Sequence, residues 1–181
     1  MDFWRKIIFL FLPNNFNLGL SEVVEGAIAT LQKIDAGGDI INAPNGKGVT
    51  PVAAAAAFGD ARSVRALMAV GADATIYRDK NGATGLMVAC HCSSGDCVAA
   101  ILEEHRRSDS DQGAASAPPN LEAADAAGAT ALWLAAAAGC SAAVSSLLAA
   151  GADKLGGSPG GISAEKAATN NGHAACAALL S

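Results

Sequence analysis

Aromatic side chains and charges are both scarce in this sequence. Of its 181 residues only 4% are Phe, Trp or Tyr and 16% are charged, although 51% are apolar. Few rings leave little to stack on bases or sugars. A net charge of -5 argues against a surface built on phosphate contacts, so nucleic acid is not an expected partner. No Asn-x-Ser/Thr acceptor occurs, and an even, spread-out cysteine set is missing too. Cys90, Cys92, Cys97, Cys140 and Cys176 are odd in number, and three of them crowd into eight residues. That is not the disulfide frame of a small secreted scaffold, so a reducing compartment fits best, the cytoplasm or else the nucleus. A bilayer-length run is also absent. Ile7 to Leu12 is strongly hydrophobic but six residues long, against about 20 for a membrane span and about 7–15 for a signal-peptide core. With Phe3, Trp4, Arg5 and Lys6 it forms an apolar and basic segment over 1–17, expected to fold onto the domain or dock a partner. Membrane contact through it is the lesser alternative.

Alanine is what the sequence has in excess, at roughly a quarter of all residues, together with 20 glycines. Low charge with high apolar content is not the composition of a disordered chain. Alanine is the strongest helix former and carries the smallest side chain that still favours a helix. The composition therefore predicts helices that approach one another closely.

Self-similarity organises those helices. Gly48-Val49-Thr50-Pro51-Val52, Ala55-Ala56, Gly59-Asp60 and Gly71-Ala72-Asp73 reappear as Gly128-Ala129-Thr130-Ala131-Leu132, Ala135-Ala136, Gly139 and Gly151-Ala152-Asp153. A third copy runs through Gly161-Ile162-Ser163, Ala168, Gly172-His173 and Leu179-Leu180. A fourth, Asp79 to Leu86 with Ala89-Cys90, fits if one or two extra residues precede Gly95. Thr50 to Thr84 is 34 residues and Thr130 to Ser163 is 33, whereas Thr84 to Thr130 is 46, so that interval holds an insertion. Thr50, Thr84, Thr130 and Ser163 stand where a hydroxyl can cap a helix start. Gly59, Gly139 and Gly172 suit the end of that helix. Val64, Leu67 and Met68, matched by Val144, Leu147 and Leu148, give a second helix its apolar stripe. One such hairpin cannot bury its own faces, so the units must stack.

The landmarks resemble the ankyrin repeat, with its period of 33 and its Thr-Pro-Leu-His, Ala-Ala, Gly-His and Gly-Ala-Asp signature. The resemblance covers about Gly37 to Ser181. It implies an all-α solenoid of stacked helix-turn-helix units joined by hairpin-like loops. The expected divisions are a segment at 1–17, a partial N-terminal capping repeat at 18–43, and repeats at 44–73 and 74–105. A flexible inserted loop at 106–119 follows, then a repeat at 120–153 and a C-terminal capping repeat at 154–181. Polar Glu165, Lys166, Asn170 and Asn171 suit a water-facing end. Trp133 replaces the signature His and is expected to fill space beneath the 106–119 loop.

Few residues suggest chemistry. Cys90, His91, Cys92 and Cys97, with His105 nearby, could in principle ligate a metal or form a redox pair. Yet Cys90 falls on an inward Ala position, and Cys-x-Cys with Cys-x4-Cys is not the usual zinc-finger spacing. No metal or cofactor is expected, and a metal- or redox-responsive sensor built on Cys90, Cys92 and Cys97 is kept only as an alternative. No third residue orients a Cys-His pair, and Gly46-Lys47 lacks the glycine and hydroxyl spacing of a phosphate loop. An enzyme is therefore not expected.

The resemblance instead implies a module that binds proteins through hairpin tips and the inner helix face, working here as an adaptor and as a monomer. The family's variable contact positions give Gly46, Lys47, Val49, Ala57 and Phe58 in the first full repeat. In the second they give Arg78, Lys80, Asn81, Ala83, His91 and Cys92, with Tyr77 beside them. The third offers only alanines, Ala126, Ala127, Ala129, Ala137 and Ala138; the fourth offers Pro159, Gly160, Ile162, Asn170 and Asn171. Aromatic and arginine side chains are the commonest interface anchors. The expected binding set is therefore Lys47, Phe58, Tyr77, Arg78, Lys80, Asn81 and His91, facing a partner segment of acidic character.

Overall fold

Thr50, Thr84, Thr130 and Ser163 each open a helix in the way their spacing predicts. All four hold extended backbone, and each side-chain oxygen accepts the N–H three residues on: Ala53 at 3.3 Å, Met87 at 3.2 Å, Trp133 at 3.4 Å and Lys166 at 3.3 Å. One orphan donor per helix start is thereby satisfied. The computed structural model describes residues 39–44, 48–69, 71–75, 82–111, 120–157 and 159–181. The segment 1–17 and most of the partial repeat expected at 18–43 lie outside them.

After a single turn, α1 (Asp39–Asn42), four helical hairpins follow. They are α2 (Pro51–Ala57) with α3 (Ala61–Ala69), α4 (Gly85–His91) with α5 (Gly95–Asp111), α6 (Ala131–Ala137) with α7 (Ser141–Ala149), and α8 (Ala164–Asn170) with α9 (Ala174–Leu180). Every second helix begins eleven residues after its capping hydroxyl. First helices pack on first helices and second on second, so the hairpins form a stack. No strand occurs among the described residues; the hairpin loop of the third unit holds one isolated bridge, Ala124 to Thr130.

The core runs the length of the stack. Val52, Leu86 and Leu132 are buried at the same place in α2, α4 and α6, and the small pairs Ala55-Ala56, Ala89-Cys90 and Ala135-Ala136 are buried beside them. Val64, Val98 and Val144, with Leu67, Ile101 and Leu147, do the same for the second helices. Each such branched side chain contributes about 1.5–3 kcal/mol by leaving water. In the fourth hairpin the pattern changes. Glu165 and Thr169, at the positions of Leu132 and Ala136, are exposed.

Both turns of the second unit differ from the sequence reading. Gly59, Gly139 and Gly172 end their helices with φ of 73°, 77° and 79°, but Ser93 fills this role in the second unit with φ 56°. No extra residues precede Gly95, which serves another purpose. A methyl group on it would stand 2.9 Å from Ala142 Cβ, so the missing side chain lets α5 approach α7. The second difference is length. Gly71 and Gly151, at φ 95° and 94°, stop α3 and α7, whereas His105 holds that position in α5. Without a residue suited to the left-handed conformation the helix runs on. It reaches Asp111 over 17 residues, against 9 in α3 and in α7. The first part of the stretch expected as a loop at 106–119 is thus helix; 112–119 lies outside the described residues.

Candidate functional site

The end of each first helix presents two side chains at one edge of the stack: Ala57 and Phe58, His91 and Cys92, Ala137 and Ala138, Asn170 and Asn171. Phe58 caps α2 and is 74% exposed, and His91 is exposed at the end of α4. Burying an aromatic ring of this size contributes strongly to an interface, and nothing among the described residues covers it. These two expected contact residues thus stand at adjoining steps of the edge, one repeat apart.

Lys47, Tyr77, Arg78, Lys80 and Asn81 lie outside the described residues. The third unit shows what their register positions look like in a described loop. Asp125 Oδ1 accepts from the N–H groups of Ala127 and Ala129, each at 2.9 Å, and Gly128 N–H donates to Asp125 O at 2.9 Å with φ 85°. This is an Asx-type turn closed by glycine. Ala124, Ala126 and Ala127, the counterparts of Arg78, Lys80 and Asn81, are exposed, and Ala127 is also the counterpart of Lys47. Ala123, the counterpart of Tyr77, is buried.

One residue of the expected contact face, Asn171, and one beside that face, Ser93, are engaged within the protein. Asn171 Nδ2 donates to Ala137 O at 2.8 Å, tying the fourth unit to the third. Ser93 Oγ donates to Ala138 O at 3.2 Å, tying the second to the third. Trp133 also makes a cross-repeat bond. Its indole N–H donates to Ile162 O at 2.8 Å in the next hairpin loop; most of the 106–119 loop it was expected to underlie, 112–119, lies outside the described residues.

The cysteines are spread through the stack. Cys90, Cys97, Cys140 and Cys176 are buried and Cys92 is exposed, all as free thiols. Burial pushes the Cys90 thiol far up, helped by neighbouring Cys140. Cys97 is pushed up to about 11, by burial first and then by the carboxylates of Asp60 and Asp96. Burial and Cys140 also raise Cys176. Thiols kept protonated by burial are poor nucleophiles. Among the described residues no group of three or more His, Cys, Asp or Glu side chains could hold a metal ion. His105, the nearest further ligand candidate by sequence, is buried, and among the described residues neither ring nitrogen has a hydrogen-bond partner.

Sequence reasoning missed the ties between successive loops. Asp73 N–H donates to Asn42 Oδ1 at 2.7 Å, and Asp153 N–H donates to Glu122 Oε1 at 2.8 Å. Asn42 and Glu122 each stand eight residues before a capping threonine. Their shared position was visible in the register, but only the fold shows what it meets.

Stacked helical hairpins with small-residue contacts, hydroxyl-capped first helices and a projecting loop edge define a repeat scaffold. A family model for ankyrin repeats (3 copies) matches residues 19–115 and 52–158. The chain belongs to the ankyrin repeat family. No curated protein matches it. Ankyrin repeats are in general protein–protein interaction modules. No helix among the described residues is long and apolar enough to cross a membrane.

Proposed function

We propose that this chain is a non-catalytic, monomeric adaptor that binds a protein segment of acidic character across its first two full repeats. Exposed Phe58 at the end of α2 carries the reading. It is a large apolar ring left in solvent at an edge where the neighbouring steps carry His91 and small uncharged side chains. Lys47, Arg78, Lys80 and Asn81 hold hairpin-loop positions in the repeat register, and the third repeat's counterparts of all four face solvent. The positive charge of Lys47, Arg78 and Lys80 selects an acidic partner and speeds its docking, while Phe58 supplies the buried anchor. Tyr77 is the weakest member, because the third repeat buries its counterpart Ala123. The third repeat's alanine-only tips offer a partner little to grip.

Selection from a displayed peptide library against the full chain tests this reading. Recovered peptides are expected to be acidic with apolar residues interspersed. Phe58→Ala and the pair Arg78→Glu with Lys80→Glu should each weaken binding by about tenfold or more, with helical circular dichroism unchanged. Peptides without acidic character, or affinities unaltered in both variants, would overturn it.

A further inference from the structure

We propose that the loop joining α7 to α8 is a second docking surface, and that it takes a protein segment of apolar residues interspersed with basic ones. It belongs to the third and fourth repeats, away from the Phe58 edge, and does not rest on the reading of that edge. Leu155 in this loop is 80% exposed, more than Phe58, and Ile162 at its far end is 37% exposed. A single exposed leucine needs no explanation. Two aliphatic side chains presented by one braced loop do.

The loop is held at both ends by the third repeat. Glu122 clamps its start, accepting from Asp153 N–H at 2.8 Å. Asp153 Oδ1 then accepts from the N–H of Leu155 at 2.9 Å, and Asp153 O from that of Gly156 at 3.1 Å. Gly156 and Gly157 lie so close on Glu122 and Thr130 that a methyl group on either would collide, at 2.1 Å and 2.3 Å. At the far end the Trp133 indole N–H donates to Ile162 O at 2.8 Å. Thr130 and Trp133 are three residues apart, so both ends of the loop are anchored about the first turn of α6, where Trp133 is half-buried. A backbone already fixed loses little freedom when a partner arrives.

Charge selects the partner. From 120 to 181 the sequence holds four carboxylates, Glu122, Asp125, Asp153 and Glu165, against two lysines, Lys154 and Lys166, and no arginine. Glu122 and Asp153 stand at the start of the loop and Glu165 just past its end, all three exposed. Of the lysines, Lys154 is engaged, its ammonium donating to Ser181 O at 3.3 Å, and Lys166 is the neighbour of Glu165. Aliphatic anchors rimmed by carboxylates favour basic groups on the partner and repel an acidic segment. The two ends of the stack therefore take partners of opposite charge.

Selection from a displayed random-peptide library tests this surface, using the full chain with Phe58→Ala, Arg78→Ala and Lys80→Ala. Those changes disable the first surface, so the outcome does not depend on whether the first reading holds. Recovered peptides are expected to be apolar with interspersed Lys or Arg. Leu155→Ser should weaken their binding by about tenfold. Asp153→Asn with Glu165→Gln should weaken it by about threefold, most at low salt; asparagine keeps the turn's acceptor oxygen, so the loop stays in place. Recovery of no peptide, peptides without basic character, or affinities unmoved by Leu155→Ser would overturn the proposal. So would a Leu155-dependent dimer in sedimentation, which would make a second copy the occupant. Tighter peptide binding on adding Arg5→Glu and Lys6→Glu would make the chain's own segment 1–17 the occupant, and would overturn it too.

Discussion

The second and third repeats share one register, yet residues of different kinds make their turns. In the third repeat Gly139 and Gly151 take the two left-handed positions, and α7 ends after 9 residues. In the second repeat those positions are Ser93 and His105. Serine at φ 56° keeps the first turn, but histidine does not make the second, and α5 runs for 17 residues. The two turns therefore have different requirements. A short side chain with a tertiary partner can hold the first. The second needs a residue that leaves the helix without cost, and where it is missing the helix continues until something else ends it.

The largest expected effects ask whether this difference reaches the core. Ile101 and Leu147 occupy the same position in α5 and α7 and are 1% and 0% exposed. Truncation of either to alanine should cost about 2–5 kcal/mol, the transfer term plus the cavity term, read as a fall in the urea midpoint. Similar losses would show that the second repeat is as tightly packed as the third, with the irregularity confined to turns and loops. A markedly smaller loss for Ile101→Ala would show that the long helix sits in a more adaptable core.

Exchanging the first turn gives smaller effects that differ between the two repeats. Gly139→Ala forces a methyl group into a left-handed position, which costs about 1–2 kcal/mol, and sets it 2.6 Å from the His173 ring. A loss of about 1–3 kcal/mol follows. Ser93→Gly relieves the same backbone strain but removes the hydroxyl bond to Ala138 O, worth about 0.5–1.5 kcal/mol. The two terms nearly cancel, so its unfolding midpoint should stay close to that of the parent. A large loss for Ser93→Gly would mean the cross-repeat bond outweighs the strain, and the second repeat would be the better-tied of the two.

Much of this contrast was legible in the sequence wherever the cause is local. The capping hydroxyls, the buried alanine pairs and the stop glycines act within a few residues, so period and residue type sufficed. The turn aligned on Gly95 belongs to Ser93, whose conformation is supported by Ala138, 45 residues away, while glycine at 95 offers a more familiar turn. The Trp133 bond was not legible because its acceptor, Ile162 O, belongs to the next loop. The clamps of Asn42 and Glu122 are contacts 31 residues apart that no local pattern announces. Phe58 was legible as a position just after the alanine pair; its exposure is shown by the fold. The long α5 was not foreseen, although His105 at a glycine position was the available sign.

The smallest expected effect separates the repeats by a single thiol. Cys97 in α5 and Ala143 in α7 share one position and are both fully buried. Cys97 is raised from 9.0 to about 11, with burial the leading cause and the Asp60 and Asp96 carboxylates adding to it. In the unfolded chain the thiol loses its proton near 9, while in the folded protein it keeps it to about 11. Between those values the folded state binds more protons than the unfolded state, so stability falls as pH rises. The contribution is fully present below pH 9 and is lost progressively toward pH 11, at about 1 kcal/mol per pH unit within the window. Cys97→Ala gives the second repeat the third repeat's residue and should flatten the fall in urea midpoint between pH 9 and pH 10.5. The slope should shrink without vanishing, because Cys90 and Cys176 are raised in the same direction. An unchanged slope in Cys97→Ala would place the alkaline sensitivity elsewhere and remove this thiol from the differences between the two repeats.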